Sequence, residues 1–150
     1  MKGITLIVPG LPKAQKRHRT YTRDSRGKPL PFPRKVDPSA EDKANFLLQS
    51  RSQAPERPLE GPLKLFVSFQ LPRPKSHFRT GKAAGEVRQT APEEPIGRPD
   101  LDNLVKLVKD ALAGVFYRND SQIVYLQACK KYVVGRPQTL VYIAAPKESK

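Results

Sequence analysis

The segment "PDLDNLVKLVKDALAG", Pro99 to Gly114, constrains this chain more than any other. At 100° per residue, Leu101, Leu104, Val105, Val108 and Leu112 fall within one narrow arc, the pattern of a helix that buries one stripe and exposes the rest. Pro99 favours an extended lead-in and Gly114 supplies the stop. Such a stripe needs a sheet or a second helix to cover it. The same region holds Asp100, Asp102 and Asp110, with Asp120 shortly beyond, in a chain of 28 Lys and Arg against 14 Asp and Glu. Acids gathered in this way would repel an anionic partner unless they had a purpose of their own.

The flanking segments supply the cover. "GITLIVPG" reads as a short buried strand stopped by Pro9 and Gly10, followed by a basic, turn-rich loop, "LPKAQKRHRTYTRDSRGKP". In "DPSAEDKANFLLQSRS", Asp37 can cap, Pro38 suits a first helical position and Ser39 with Asp42 offers a second cap, predicting a helix over about Pro38 to Arg51. "PLKLFVSFQL" alternates as a strand does, with Leu63, Leu65, Val67 and Phe69 on one face. Residues 72–99 form a long basic loop rich in Pro and Gly, with no sustained period, whose aromatic Phe78 is expected to pack. "SQIVYLQACKKYVV" and "QTLVYIAA", around the turn "GRP", predict an antiparallel hairpin. The expectation is one α+β domain over residues 1–150, a mixed or antiparallel sheet with two helices on one face.

A formal net charge of +14 and a pI near 10.2 oppose compaction, so they point to an anionic partner, with nucleic acid first. No membrane role is expected, because the N-terminal apolar run "ITLIV" is far too short to span a bilayer. The chain reads as soluble and intracellular. Cys129 is the sole cysteine, which excludes an internal disulfide and a Cys-rich zinc site; it is expected to pack as a small apolar residue. His18 and His77 lie in basic loops and are assigned no metal.

Taken singly, each Asp has an ordinary explanation. Asp102 is a favourable charge at a helix start, Asp102 and Lys106 form a surface pair, and "RND" at 118–120 is a turn. Taken together they suit a hard cation, because Mg²⁺ is held by one or a few carboxylates with water and phosphate oxygens, and phosphodiester hydrolysis uses that ion. Asp102 and Lys106 lie four residues apart, roughly 6 Å along the helix, so they can converge on one ligand. A non-catalytic basic nucleic-acid-binding protein would explain the charge but not the acids. A nucleotide-sugar transferase using D-x-D is usually a longer chain with less excess charge.

"RPDLDNLVKLVKDALAG…YRNDSQIV" resembles the RusA family of Holliday-junction resolvases, which have P-D-x-D-N-L-x-K, a helix ending in D-A-L-x-G, and a D-D-x-Q-like turn before a strand ending near K-x-Y. "VPGLPKAQKRHR" matches more loosely. The resemblance implies a homodimeric, Mg²⁺-dependent endonuclease, with Mn²⁺ as the substitute ion, that makes paired cuts in four-way junctions and other branched DNA during recombination and repair. It implies a cytoplasmic protein, from a bacterium or a phage. It places metal-binding acids at Asp100, Asp102 and Asp120, a catalytic lysine at Lys106, and supporting roles at Asn103 and Asn119. Asn119 departs from the family's commonly acidic position, which keeps open a branched-DNA binder that does not cut. Lys13, Lys16, Arg17, Arg19 and Arg23, with Lys75, Arg79 and Lys82 of the long loop, are the expected backbone contacts on DNA.

Overall fold

The alternating run at 63–72 becomes the central strand of the sheet. In the computed structural model, which describes residues 3–146, the strands are β1 (Ile4–Pro9), β2 (Arg19–Arg23), β3 (Pro29–Val36), β4 (Leu63–Pro72), β5 (Ile123–Val133) and β6 (Gln138–Ala144). The helices are α1 (Ala40–Ser50) and α2 (Leu101–Leu112). Leu63, Leu65, Val67, Phe69 and Leu71 of β4 are buried, while Lys64, Phe66, Ser68 and Gln70 point to the other, half-exposed face. Leu6 and Val8 of β1 and Val141 and Ile143 of β6 join the buried side, where α1 and α2 pack, so both helices cover one face. The fold is a small single α+β domain with a mixed sheet, as expected.

Strand order is β1-β6-β4-β5, which corrects the expected hairpin. β5 runs parallel to β4, pairing Leu65 with Leu126, whereas β6 runs antiparallel to β4 on its other side, pairing Val67 with Val141. β4 therefore separates the two segments that flank "GRP". Two strand spacings make roughly 9.6 Å, within reach of the four residues 134–137 near full extension. β4, α2 and β5 form a crossover unit, so α2 is the connection between parallel strands rather than an appended helix.

α2 buries more than the expected stripe. Leu107 and Ala111 join Leu104, Val105, Val108 and Leu112 because α1 covers the second flank, while Leu101 stays half-exposed at the helix start. The basic loop expected between β1 and α1 contains β2 and β3, an antiparallel ribbon separate from the main sheet. Cys129 faces the uncovered side of the sheet and is exposed, its Sγ 3.6 Å from Ser68 Oγ, rather than packed.

α1 starts two residues later than expected, and Asp37 works ahead of it. Its Oδ1 accepts from the Ser39 N–H (2.9 Å) and its Oδ2 from Lys43 Nζ (2.7 Å). Lys43 Nζ also lies 3.6 Å from Asp110 Oδ2, so Asp110 ties α2 to α1. The Lys43 bond, then the Ser39 N–H, hold the Asp37 carboxyl below its usual range, against a smaller opposing effect of burial. A depressed folded pKa means stability present above the unfolded value, about 3.9, and lost as pH falls through the folded value. Asp37→Asn should cost about 1–2 kcal/mol at pH 7, and the gap from wild type should close toward pH ~2. Urea midpoints at both pH values test this; an equal gap at both would leave the carboxylate charge without a part.

Candidate active site

The crossover connection carries the site. Asp100 is the residue before α2, in extended conformation (φ −71°, ψ 139°), and its carbonyl accepts the first helical bond from Leu104 N–H at 3.1 Å. Extended backbone at this point turns its side chain away from the helical stripe that follows. Lys130 of β5 fixes the approach, donating from Nζ to Gly97 O (2.6 Å) and Pro99 O (2.9 Å).

On α2, Asp102, Lys106 and Lys109 follow at spacings of four and three, so they share one exposed face. They line a cavity of about 640 Å³ between α2 and the edge strand β5, joined by Asp120 and floored by Leu101, Val105, Leu126 and Ala128. Asp102 Oδ1 accepts from the Asn103 N–H (2.9 Å). Lys109 Nζ lies 3.6 Å from Asp120 Oδ2 across the cavity.

Asp120 is placed by the turn around it. Asn119 Oδ1 accepts from the Ser121 N–H (3.0 Å), and Gln122 Oε1 accepts from the Asn119 N–H (2.9 Å), a reciprocal cap. Gln122 Nε2 also donates to Leu59 O and Gly61 O, anchoring the turn to the segment before β4. The side-chain carbonyl of Asn119 is thus engaged in holding the turn. Beneath it, Tyr117 is fully buried and donates its hydroxyl to Lys109 O (2.8 Å). Burial first, then the Asp120 and Asp110 charges, raise the phenol's pKa, so Tyr117 remains a proton-bearing donor under the Lys109 turn.

Asp100 and Asn103 line an adjoining pocket of about 580 Å³, together with Arg17, Arg98, Pro99 and Ala14. The loop bearing Arg17 is tied to α2 by a Gln15 N–H to Asn103 O bond (2.9 Å). Asp102, Lys106 and Asp120 are therefore brought to one cavity, and Asp100 to its neighbour. Among the described residues no three His, Cys, Asp or Glu side chains are grouped closely enough to share one ion. Asp102 and Asp120 line the same cavity, and each is a carboxylate of the kind Mg²⁺ takes one or two at a time, filling its octahedron with water and phosphate oxygens.

The expected DNA contacts lie on several separate elements of the basic surface. Arg17 borders the Asp100 pocket, Lys13 lines a groove beside α1, and the Lys16 N–H is bonded to Ser39 Oγ at 2.8 Å. Arg19 and Arg23 lie on the ribbon, where Arg23 Nη1 braces Gly27 O (2.9 Å). Lys75 and Lys82 sit in short 3-10 turns of the long loop, and Arg79 pairs with Glu86 at 3.1 Å. Phe78 is half-buried and bridges to Val87. Lys109, Lys130 and Arg98 were not among the expected site residues. Lys109 was accessible to sequence reasoning, three residues after Lys106 on the same helical face; Lys130 depends on which strand neighbours β4.

A strongly basic α+β domain whose crossover helix opens a pocket lined by carboxylates and lysines has the parts that DNA cleavage uses, cations for the phosphate backbone and acids for an ion. The model of the family described as Endodeoxyribonuclease RusA matches residues 9–144, and the chain belongs to that family. It is an endodeoxyribonuclease. It is also similar to the uncharacterized protein YqaN of Bacillus subtilis (strain 168), 34% identical over 132 residues, covering 88% of this chain and 89% of that protein. Among the described residues no helix is long and apolar enough to cross a membrane.

Proposed function

We propose that the chain is a cytoplasmic, homodimeric, Mg²⁺-dependent endonuclease that resolves four-way DNA junctions by paired cuts in recombination and repair. The convergence of Asp102, Lys106 and Asp120 on one cavity carries this reading. Asp102 would hold Mg²⁺, or Mn²⁺ in its place, with Asp120 from the same cavity or Asp100 from its neighbour as the second carboxylate. Bound there, the ion supplies an activated water and charge neutralisation at the leaving oxygen. Lys106 binds a non-bridging oxygen of the scissile phosphate and opposes the charge that grows on it in the transition state. Lys109 holds Asp120 in place, and Arg17 with Arg98 receives the neighbouring phosphate.

Two cuts need two sites, which an isologous dimer supplies around a two-fold axis. The uncovered sheet face supports this. Phe66 packs near Tyr125 and Tyr142 in tilted pairs (centroids 5.5 and 6.0 Å), Ile7 is exposed on the same side, and among the described strand residues that face bears no acid and only Lys64 and Lys131 as charges.

The direct test incubates labelled four-way, forked and linear duplex DNA with the protein, with and without Mg²⁺, alongside light scattering for mass. Paired junction cuts that require the ion, made by a dimer, are expected. Junction binding without product would instead leave a branch binder. The basic surface has its own readout: replacing Lys16, Arg17 and Arg19 together by Ala should weaken binding to all duplex-armed DNA and flatten the slope of log K against log[salt] by up to about 0.9 per lost contact. An unchanged slope would remove these residues from the phosphate interface.

A further inference from the structure

We propose that the β2–β3 ribbon is a branch-reading arm, on which Phe32 stacks against a base left unpaired or unstacked at the junction centre. This rests on the reading of the protein as a branched-DNA endonuclease. Phe32 is 81% exposed, an unusual position for a phenyl ring, and Tyr21 is 44% exposed. No ribbon residue belongs to the core, and every residue of β2 is exposed. The ribbon is nevertheless built with care at both ends. At its tip Asp24 Oδ1 accepts from the Arg26 and Lys28 N–H groups, and at its base His18 Nε2 lies 3.6 Å from Asp37.

Register decides what the ribbon presents. Tyr21 pairs with Arg34 and Arg19 with Val36, so Arg19, Tyr21 and Arg34 share one face, and Phe32 follows two residues from Arg34 in the irregular stretch of β3 where the register shifts. Aromatic rings interleaved with guanidinium groups suit bases and phosphates together: the rings offer stacking surfaces, which every base can use, and the cations hold the strand. A protein strand docking on β3 is disfavoured, because Pro29, Pro31 and Pro33 leave it short of N–H donors for a new ladder. An acidic protein would satisfy the arginines but leave the ring without a reason.

The placement also fits. Phe32 is four residues along β3 from Val36, roughly 13 Å by the strand rise. Val36 pairs with Arg19, two residues from the Arg17 that borders the Asp100 pocket. With the two further residues to Arg17 the span reaches at most roughly 20 Å, about six nucleotide steps along a strand. A ring that far from the cutting pocket can mark the branch while the pocket holds a phosphate close to it.

The test measures affinity of wild type, Phe32→Ala, Phe32→Trp and Tyr21→Ala for a four-way junction and for a linear duplex of the same arm sequence, in EDTA so that nothing is cut. 2-Aminopurine at the branch point reports stacking on the ring. Phe32→Ala should weaken junction binding about tenfold, hold duplex affinity within about twofold, and abolish the 2-aminopurine change, while Phe32→Trp keeps both. The melting temperature should not move, since the ring touches no core residue. An unchanged junction-to-duplex ratio in Phe32→Ala, or an equal loss on both DNAs, overturns the arm as a branch reader. A dimer that falls apart in Phe32→Ala also overturns it, making Phe32 a contact between copies. A wild-type protein with no preference for junctions fails differently, because that sinks the junction reading itself.

Discussion

Asp102→Asn is expected to cut four-way junctions in Mg²⁺ about 10²–10⁴-fold more slowly than wild type, with junction affinity within about threefold and a melting temperature within about 3 °C. The contrast in size separates two roles for one carboxylate. As a charge near the start of α2, Asp102 contributes about 0.3–1 kcal/mol, which moves a melting temperature by a few degrees at most. As a metal ligand it contributes to the barrier of every cut. Asn keeps the shape and an oxygen for the Asn103 N–H, and Asp102 lies on the exposed face of the helix, so no core contact is lost. Single-turnover cutting and thermal melting on the same preparation decide the matter. Near-normal cutting with a lowered melting temperature would make Asp102 a helix-start residue and leave the cavity without its first ligand.

The parts of this fold that bury something were readable in advance. α2 and β4 announce themselves because their apolar residues recur at the period of a helix and of a half-buried strand, and the buried residues follow those periods. Periodicity identifies a strand but not its neighbour. β5 and β6 each read correctly as strands, and the short turn between them argued for a hairpin, yet β4 lies between them because its two faces of hydrogen-bonding edge pair with both. With β5 parallel to β4, Lys130 reaches the carbonyls ahead of Asp100, a contact that no local pattern contains. The ribbon was missed for the opposite reason. β2 and β3 bury almost nothing, so they carry no hydrophobic alternation, and three prolines in β3 argue against a strand unless it lies at an edge.

The candidate site divides in the same way. The helical spacing of Asp102 and Lys106 was sufficient to place them together, and the same count extends to Lys109. Asp120 joins them through tertiary structure: the Asn119–Gln122 cap and the Gln122 bonds to Leu59 and Gly61 hold its turn at the C-terminal end of α2. Asn119, unusual by resemblance because it lacks a charge, has in its carbonyl the acceptor that the turn needs. Asp100 is set apart by the extended backbone at the helix start, on the side where Arg17 and Arg98 stand.

Asp120→Asn should separate binding from cutting in the direction opposite to ordinary loss of function. Without metal, Asp120 places negative charge in the cavity proposed to take the scissile phosphate and also pairs with the Lys109 ammonium, 3.6 Å away. Neutralising it removes the repulsion and releases a cation into the same cavity. In EDTA the variant should therefore bind junctions at least as tightly as wild type, up to about tenfold more tightly, with a log K against log[salt] slope steeper by up to about 0.9 if Lys109 takes up one phosphate. In Mg²⁺ the same variant should cut about 10²-fold or more slowly, since the lost carboxylate is one of those proposed to hold the ion. Lys109→Met in the Asp120→Asn background returns the salt slope to that of wild type if Lys109 is the new contact. Affinity in EDTA, its salt dependence and single-turnover cutting are the three measurements. Weaker EDTA binding together with normal cutting would assign Asp120 to the structural turn, and the pocket would then have to hold its ion through Asp102 and Asp100.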